Sequence, residues 1–175
     1  MSGELKKLIR NVPDFPQPGI IFRDITPLLA DAQALSLATR RMAEPFRRLK
    51  VDRVLGAESR GFIFGALVAR ELNCGFAPIR KPGKLPGKTI SAQYQLEYGA
   101  DKLQIHTDAF QTGQKILMVD DLLATGGTMA ASCQMVEKLG GNIVGISFLI
   151  ELIFLKGRQK LGNYTIHSLI SYDSE

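Results

Sequence analysis

Hydrophobic positions change period several times along the chain, and each change marks an element. Residues 53–57, 76–79, 115–120 and 143–150 are short runs apolar on both faces, and 165–170 is a fifth candidate. Between them, residues 60–72 and 128–139 read as helices. The first ends near Gly75 and the second at Gly140 and Gly141, where glycine closes helices well. Strands apolar on both faces, alternating with helices, predict an α/β fold: an open, mostly parallel sheet flanked by helices.

Two regions depart from this rhythm. At the start, residues 3–10 read as a short helix stopped by Pro13, Pro16 and Pro18, and residues 19–26 as an extended segment. Residues 31–49 carry helical spacing at Leu35, Ala38, Met42 and Phe46, with Pro45 placed to kink or shorten the helix. Further on, Ile90, Ala92, Tyr94, Leu96 and Tyr98 alternate with Ser91, Gln93, Gln95 and Glu97. Gly99, Ala100 and Asp101 are suited to a turn, and Leu103 and Ile105 resume the alternation. Period two predicts a two-faced hairpin. Residues 82–105 are therefore expected to form a β-hairpin lid projecting from the sheet.

Composition sets the class. Of 175 residues, 45% are hydrophobic and 22% charged, an ordinary globular balance with length for one domain over residues 1–175. The longest apolar run, 143–155, is interrupted by Glu151 and is too short and polar to span a bilayer, so no membrane partner is expected. No apolar stretch follows Lys6 and Lys7 as a secretory signal would require. Cys74 and Cys133 lie in apolar segments without metal or redox spacing and read as reduced core residues. A cytoplasmic location is the expectation. The net charge of +5 weakly favours an anionic partner, leaving nucleic acid, phosphorylated metabolites and simple solubility open.

The strongest chemical signal is residues 116–128, ILMVDDLLATGGT. An apolar strand delivers Asp120 and Asp121, and a glycine-bearing loop then opens a helix. Parallel sheets bind ligands at the carboxyl ends of their strands. A helix start offers unpaired N–H groups and a partial positive charge to a phosphate. Gly126 and Gly127 let the backbone approach closely, and Thr125 and Thr128 add hydroxyls. Two carboxylates beside a phosphate cradle make sense when the ligand carries hydroxyls next to its phosphate, as ribose 5-phosphate does. A second signal is the run Arg80, Lys81, Lys84 and Lys88, which leads into the expected lid. Residues 83–89 imitate a Walker loop, but the spacing is one residue short and a period-two strand follows where a helix is needed. His106 and His167 are isolated and read as ordinary strand or surface residues.

The segment 116–128 resembles the phosphoribosyl pyrophosphate signature of type I phosphoribosyltransferases, in the form carried by their adenine-specific branch. The likeness extends in order and spacing through residues 18–24 (PGIIFRD), 58–62 (ESRGF), 80–86 (RKPGKLP) and 96–99 (LEYG). The resemblance implies transfer of the 5-phosphoribosyl group from phosphoribosyl pyrophosphate to adenine, giving AMP and pyrophosphate in purine salvage. It implies that Asp120 and Asp121 bind the ribose hydroxyls and that Ala124, Thr125, Gly126, Gly127 and Thr128 hold the 5-phosphate. Glu58, Ser59, Arg60, Arg80, Lys81 and Lys84 would line the pyrophosphate pocket, with Mg2+ bound mainly through the ligand and no protein-built metal site. Glu58 stands where some relatives carry aspartate. The resemblance also implies a cis peptide between Glu58 and Ser59, an adenine grip at Ile21, Phe22 and Arg23 within an N-terminal hood (1–30), Glu97 as the catalytic residue on the lid, and a homodimer. Two rivals stand beside this reading. One is transfer to hypoxanthine, guanine or xanthine. The other is a non-catalytic sensor that binds nucleic acid; it would need an additional binding module, and the core and lid use up the chain.

Overall fold

The computed structural model describes residues 2–96 and 99–174. The chain begins with helix α1 (Ser2–Lys6), strands β1 (Arg10–Val12) and β2 (Phe22–Asp24), and helices α2 (Thr26–Ala30) and α3 (Ala32–Ala43). The predicted helix over 31–49 divides. Its α-helical part ends at Ala43 and Glu44–Leu49 continues as a 3-10 helix, because Pro45 lacks the N–H that an α-helical bond needs. Asp31 separates α2 from α3; its carboxylate accepts the amides of Gln33 and Ala34, both at 2.9 Å. The extended segment predicted over 19–26 contracts to β2, which pairs antiparallel with β1.

The parallel layer follows as predicted: β3 (Arg53–Ala57), α4 (Arg60–Glu71), β4 (Gly75–Ile79), then, after the hairpin, β7 (Lys115–Leu123), α5 (Gly127–Lys138), β8 (Asn142–Leu152) and β9 (Ile166–Tyr172). The five strands are ordered β4-β3-β7-β8-β9, all parallel. Alternate residues of each strand feed two cores. Val54, Leu117 and Val119 face α3 and α4 with Phe46, Phe64 and Val68. Leu55, Ile116 and Met118 face α5 with Met129, Cys133 and Val136. Both cysteines are free thiols, and burial pushes the Cys133 thiol up to about 12.

The hairpin consists of β5 (Thr89–Leu96) and β6 (Gly99–His106), a sheet of its own. Pairing runs from Thr89 with His106 to Leu96 with Gly99, so Gly99, Ala100 and Asp101 belong to the second strand rather than to the turn expected there. Leu103 and Ile105 are fully buried in the α5-side core, with Ile90 and Ala92 packed against them. The root of the hairpin is thus part of the core, and its apolar face is the reason for the period-two pattern.

Candidate active site

Strand β7 runs past Asp120, where sequence periodicity had ended it, because Leu122 and Leu123 keep the ladder by pairing with Ile150 and Glu151. Asp120 and Asp121 therefore stand inside the C-terminal half of the central strand. The chain then turns through residues 124–126. Gly126 takes a left-handed conformation (φ 80°) that admits the backbone to α5, and no side chain caps that helix. The first-turn amides are left without intrahelical acceptors. They border a cavity of about 80 Å³ lined by Asp120, Ala124, Thr125, Gly126, Gly127 and Thr128.

The two carboxylates are held differently. Asp120 accepts the amide of Asp121 at 2.9 Å. Asp120 also lies against the start of α4, where a Cβ on Gly61 would come within 2.6 Å of its Oδ1. Asp121 is buried and forms an ion pair with Arg60, Nε to Oδ2 2.7 Å. Burial raises both carboxyls above their ordinary range. For Asp120 the adjacent charge of Asp121 adds to this, whereas for Asp121 the Arg60 guanidinium opposes it. Hydroxyl donors from a ligand would favour the ionised forms.

A second loop, residues 58–60, joins β3 to α4, and its Glu58–Ser59 peptide is cis. Ser59 precedes the first turn of α4 and makes no capping bond with its side chain. Glu58 accepts from the Lys81 amide at 2.9 Å and from Arg80 Nη2 at 3.1 Å, which together hold its carboxyl below the usual range. Arg80 Nη1 donates to the Lys84 carbonyl at 3.1 Å. Both terminal nitrogens of Arg80 are thus engaged in shaping the basic loop around Lys81 and Lys84. Gln104, which sequence reasoning passed over, completes this arrangement. It exchanges two main-chain hydrogen bonds with Arg80 (2.9 and 2.7 Å) and accepts the Gly83 amide on its side chain at 3.2 Å. Its only sequence signal was a place on the polar face of the hairpin. After residues 83–89 comes strand β5, not a helix, so the Walker-like spacing forms no phosphate loop.

Arg60 connects these loops to the N-terminal segment, its guanidinium lying 5.1 Å from the centre of the Phe22 ring. Phe15, half exposed, meets Phe22 edge-on at 5.1 Å. Ile21 directly precedes β2, whose sheet has only two strands, so one edge of β2 has no strand partner among the described residues. The Arg23 side chain turns away and is buried. It donates to Asn11 Oδ1 at 2.6 Å and the Ser174 carbonyl at 3.4 Å and lies 4.0 Å from the Tyr172 ring centre. Any contact of Arg23 with the expected adenine would therefore fall to its backbone. Asp120, Asp121, the 124–128 loop, Arg60 and Phe22 are brought together, with Glu58, Arg80, Lys81 and Lys84 alongside. Glu97 lies outside the described residues.

Among the described residues, no group of three or more His, Cys, Asp or Glu is arranged around a metal position. The donor set at the site is the pair Asp120 and Asp121, one of them already paired with Arg60. A hard divalent cation would therefore take its ligands mainly from phosphate oxygens and water.

Comparisons with known proteins identify the family. Residues 28–163 match the model of the phosphoribosyl transferase domain. The adenine phosphoribosyltransferase of Halothermothrix orenii is 55% identical over 167 residues, 95% of this chain and 98% of that one. The crystal structure of adenine phosphoribosyltransferase from Thermoanaerobacter pseudethanolicus superposes with a TM-score of 0.95 at 52% identity, covering 98% of this chain and 100% of the other. That of the Saccharomyces cerevisiae enzyme, complexed with an imino-altritol bisphosphate and adenine, gives 0.90 at 42% identity, covering 96% and 97%. The chain belongs to the phosphoribosyltransferase family and, within it, to the adenine phosphoribosyltransferases.

Proposed function

We infer that the chain transfers the 5-phosphoribosyl group of phosphoribosyl pyrophosphate to adenine, releasing AMP and pyrophosphate, and that the residues named above divide the work as follows. The observation that carries this reading is the phosphate-sized loop at the start of α5, beside the half-buried Asp120 and the buried Asp121, the second of which Arg60 ties to the aromatic N-terminal segment. The 124–128 loop holds the 5-phosphate, and Asp120 and Asp121 accept the ribose hydroxyls. Arg60, Ser59, Lys81 and Lys84 receive the pyrophosphate, with Glu58 and Arg80 fixing the shape of that pocket. A divalent cation, Mg2+ by family resemblance, spreads the charge of the leaving pyrophosphate when bound.

Displacement at C1 of the ribose passes through an oxocarbenium-like state, so leaving-group charge needs support and water must be kept out. The outer end of the hairpin, beyond the root that packs in the core, serves as a lid, and Glu97 takes the proton from the attacking base nitrogen. The hood over residues 1–30 presents the base. The carbonyl of Ile21 accepts the 6-amino group of adenine, and the N–H of Arg23 donates to N1. Phe22 offers its ring to the face of the base. Hypoxanthine reverses both polar groups, which leaves the site unpaired and is worth roughly 10⁴-fold discrimination. Adenine in the yeast relative's structure supports the choice of base. A homodimer and a cytoplasmic location complete the reading. No helix among the described residues is long and apolar enough to cross a membrane.

The test compares kcat/KM for adenine, hypoxanthine and guanine at fixed Mg2+ and phosphoribosyl pyrophosphate. Adenine should exceed both by several orders of magnitude. Activity with either of the others within tenfold of adenine would overturn the assignment of the base.

A further inference from the structure

Behind the phosphate loop lies a segment to which no role has been given so far. After β8 the chain makes two short 3-10 turns, Ile153–Leu155 and Gly157–Lys160, joined by Lys156 in a left-handed conformation. This places Gly157 directly against the loop. A Cβ on Gly157 would collide with the carbonyl oxygen of Ala124 and come within 2.9 Å of Leu123 Cδ1. Reciprocally, a Cβ on Gly126 would collide with the carbonyl oxygen of Gly157. The two backbones are in contact through both glycines, at the residues that shape the phosphate-facing turn.

The next residue anchors the segment. Arg158 forms a two-pronged ion pair with Glu151, Nε to Oε1 2.6 Å and Nη2 to Oε2 2.7 Å, and Glu151 is 4% exposed. Arg158 also donates to the Ile166 carbonyl and to Ser168 Oγ, both at 3.3 Å, fastening the turn to β9. Glu151 itself is the register partner of Leu123, the last residue of β7 before the loop. A rigid fork between planar groups fixes direction as well as distance. The ion pair thus sets where Gly157 stands, and Gly157 sets how far the 124–126 backbone can retreat.

We propose that Gly157, held by the Arg158–Glu151 pair, is a positioning element for the 5-phosphate: a backstop that keeps the loop amides aimed at the ligand. The inference rests on the reading of residues 124–128 as the 5-phosphate loop. Its own content is that binding of a sugar phosphate depends on residues about thirty positions further along, none of which touches the ligand.

The experiment measures ribose 5-phosphate binding by calorimetry, with steady-state KM for adenine and phosphoribosyl pyrophosphate and a thermal melt, on the full chain. Gly157→Ala should weaken ribose 5-phosphate by at least about tenfold, since displacements near 1 Å at a binding site carry effects of that order or more. The KM for phosphoribosyl pyrophosphate should rise with it and that for adenine stay within about threefold. Arg158→Lys keeps the charge but loses the fork. It should fold and show a smaller loss in the same direction, which serves if Gly157→Ala does not fold. Thr128→Ala, inside the loop, tests the underlying reading separately. If Thr128→Ala leaves ribose 5-phosphate binding unchanged, the loop assignment fails. If Thr128→Ala weakens it while Gly157→Ala and Arg158→Lys both bind as the parent does, the backstop is overturned. An equal rise in both KM values would also overturn it, as the mark of general loosening.

Discussion

Gly61→Ala isolates the placement of Asp120 from the stability of the fold. The added methyl would lie 2.6 Å from Asp120 Oδ1 and 3.3 Å from the Val119 carbonyl oxygen. Restoring the 3.4 Å of an ordinary contact requires a shift of about 0.8 Å. The backbone of β7 is paired on both sides, so the Asp120 side chain must take up most of that movement. A misplacement near 1 Å can cost about 100-fold in rate, so kcat/KM for phosphoribosyl pyrophosphate should fall by roughly 10- to 100-fold. Stability should fall by up to about 2 kcal/mol, as it should in the control below. Overpacking costs about 1–3 kcal/mol, and alanine in place of glycine in a helix returns up to about 1 kcal/mol. Gly65→Ala, one turn further along α4, supplies the control. Its methyl would press on the Phe76 ring at 2.6 Å, away from the carboxylates. That variant should lower the melting temperature while its kcat/KM stays close to that of the parent. Steady-state kinetics with varied phosphoribosyl pyrophosphate, alongside thermal melts of both variants, decides the matter. A Gly61→Ala enzyme within threefold of the parent would refute the claim that the position of Asp120 matters to the ribose.

Two further outcomes follow from the charges. Burial raises Asp120 and Asp121, so the folded, ligand-free protein binds protons more readily than the unfolded chain, and its stability should decline as pH rises through the raised values. Affinity for phosphoribosyl pyrophosphate should run the other way, falling on acidification from a pH above the ordinary carboxylate range; melts and KM across pH would show both trends, and Asp120→Asn should flatten them. Glu58→Gln removes the charge that holds Arg80 and the Lys81 amide, so pyrophosphate should inhibit several-fold more weakly while KM for adenine is unchanged, as product-inhibition kinetics would show.

The parallel sheet was legible because its strands are apolar on both faces, and the hairpin because Ile90, Ala92, Leu103 and Ile105 keep one face of a two-period pattern in the core. Strand β1 was not. Arg10, Asn11 and Val12 carry no pattern, and the pairing with β2 depends on tertiary partners such as the bond from Arg23 to Asn11. The strand–turn–helix over residues 115–138 could be read locally, since strand, carboxylates, glycines and helix follow one another without interruption. The supports around it could not. Gln104, Gly157 and the Glu151–Arg158 pair act through contacts between segments far apart in the chain, and no local spacing announces them. Arg23 shows the same limit from another side. A cation in the segment expected to grip the base looks like a ligand group, yet its side chain is engaged by Asn11, the Tyr172 ring and the Ser174 carbonyl.

The segregation of charge around the site bears on how a polyanion arrives. Asp121 is buried and paired with Arg60, whereas Lys81 and Lys84 are exposed on the loop that begins at Arg80. A substrate carrying several negative charges gains nothing from long-range attraction to the carboxylates, so on this reading its capture depends on the exposed cations. Screening acts on such exposed charges over a Debye length of about 8 Å at physiological ionic strength, and much less on enclosed ones. Added salt should therefore slow the encounter with phosphoribosyl pyrophosphate while leaving its escape, once seated, nearly unaffected. Association and dissociation are then governed by separate parts of the protein and can be altered independently.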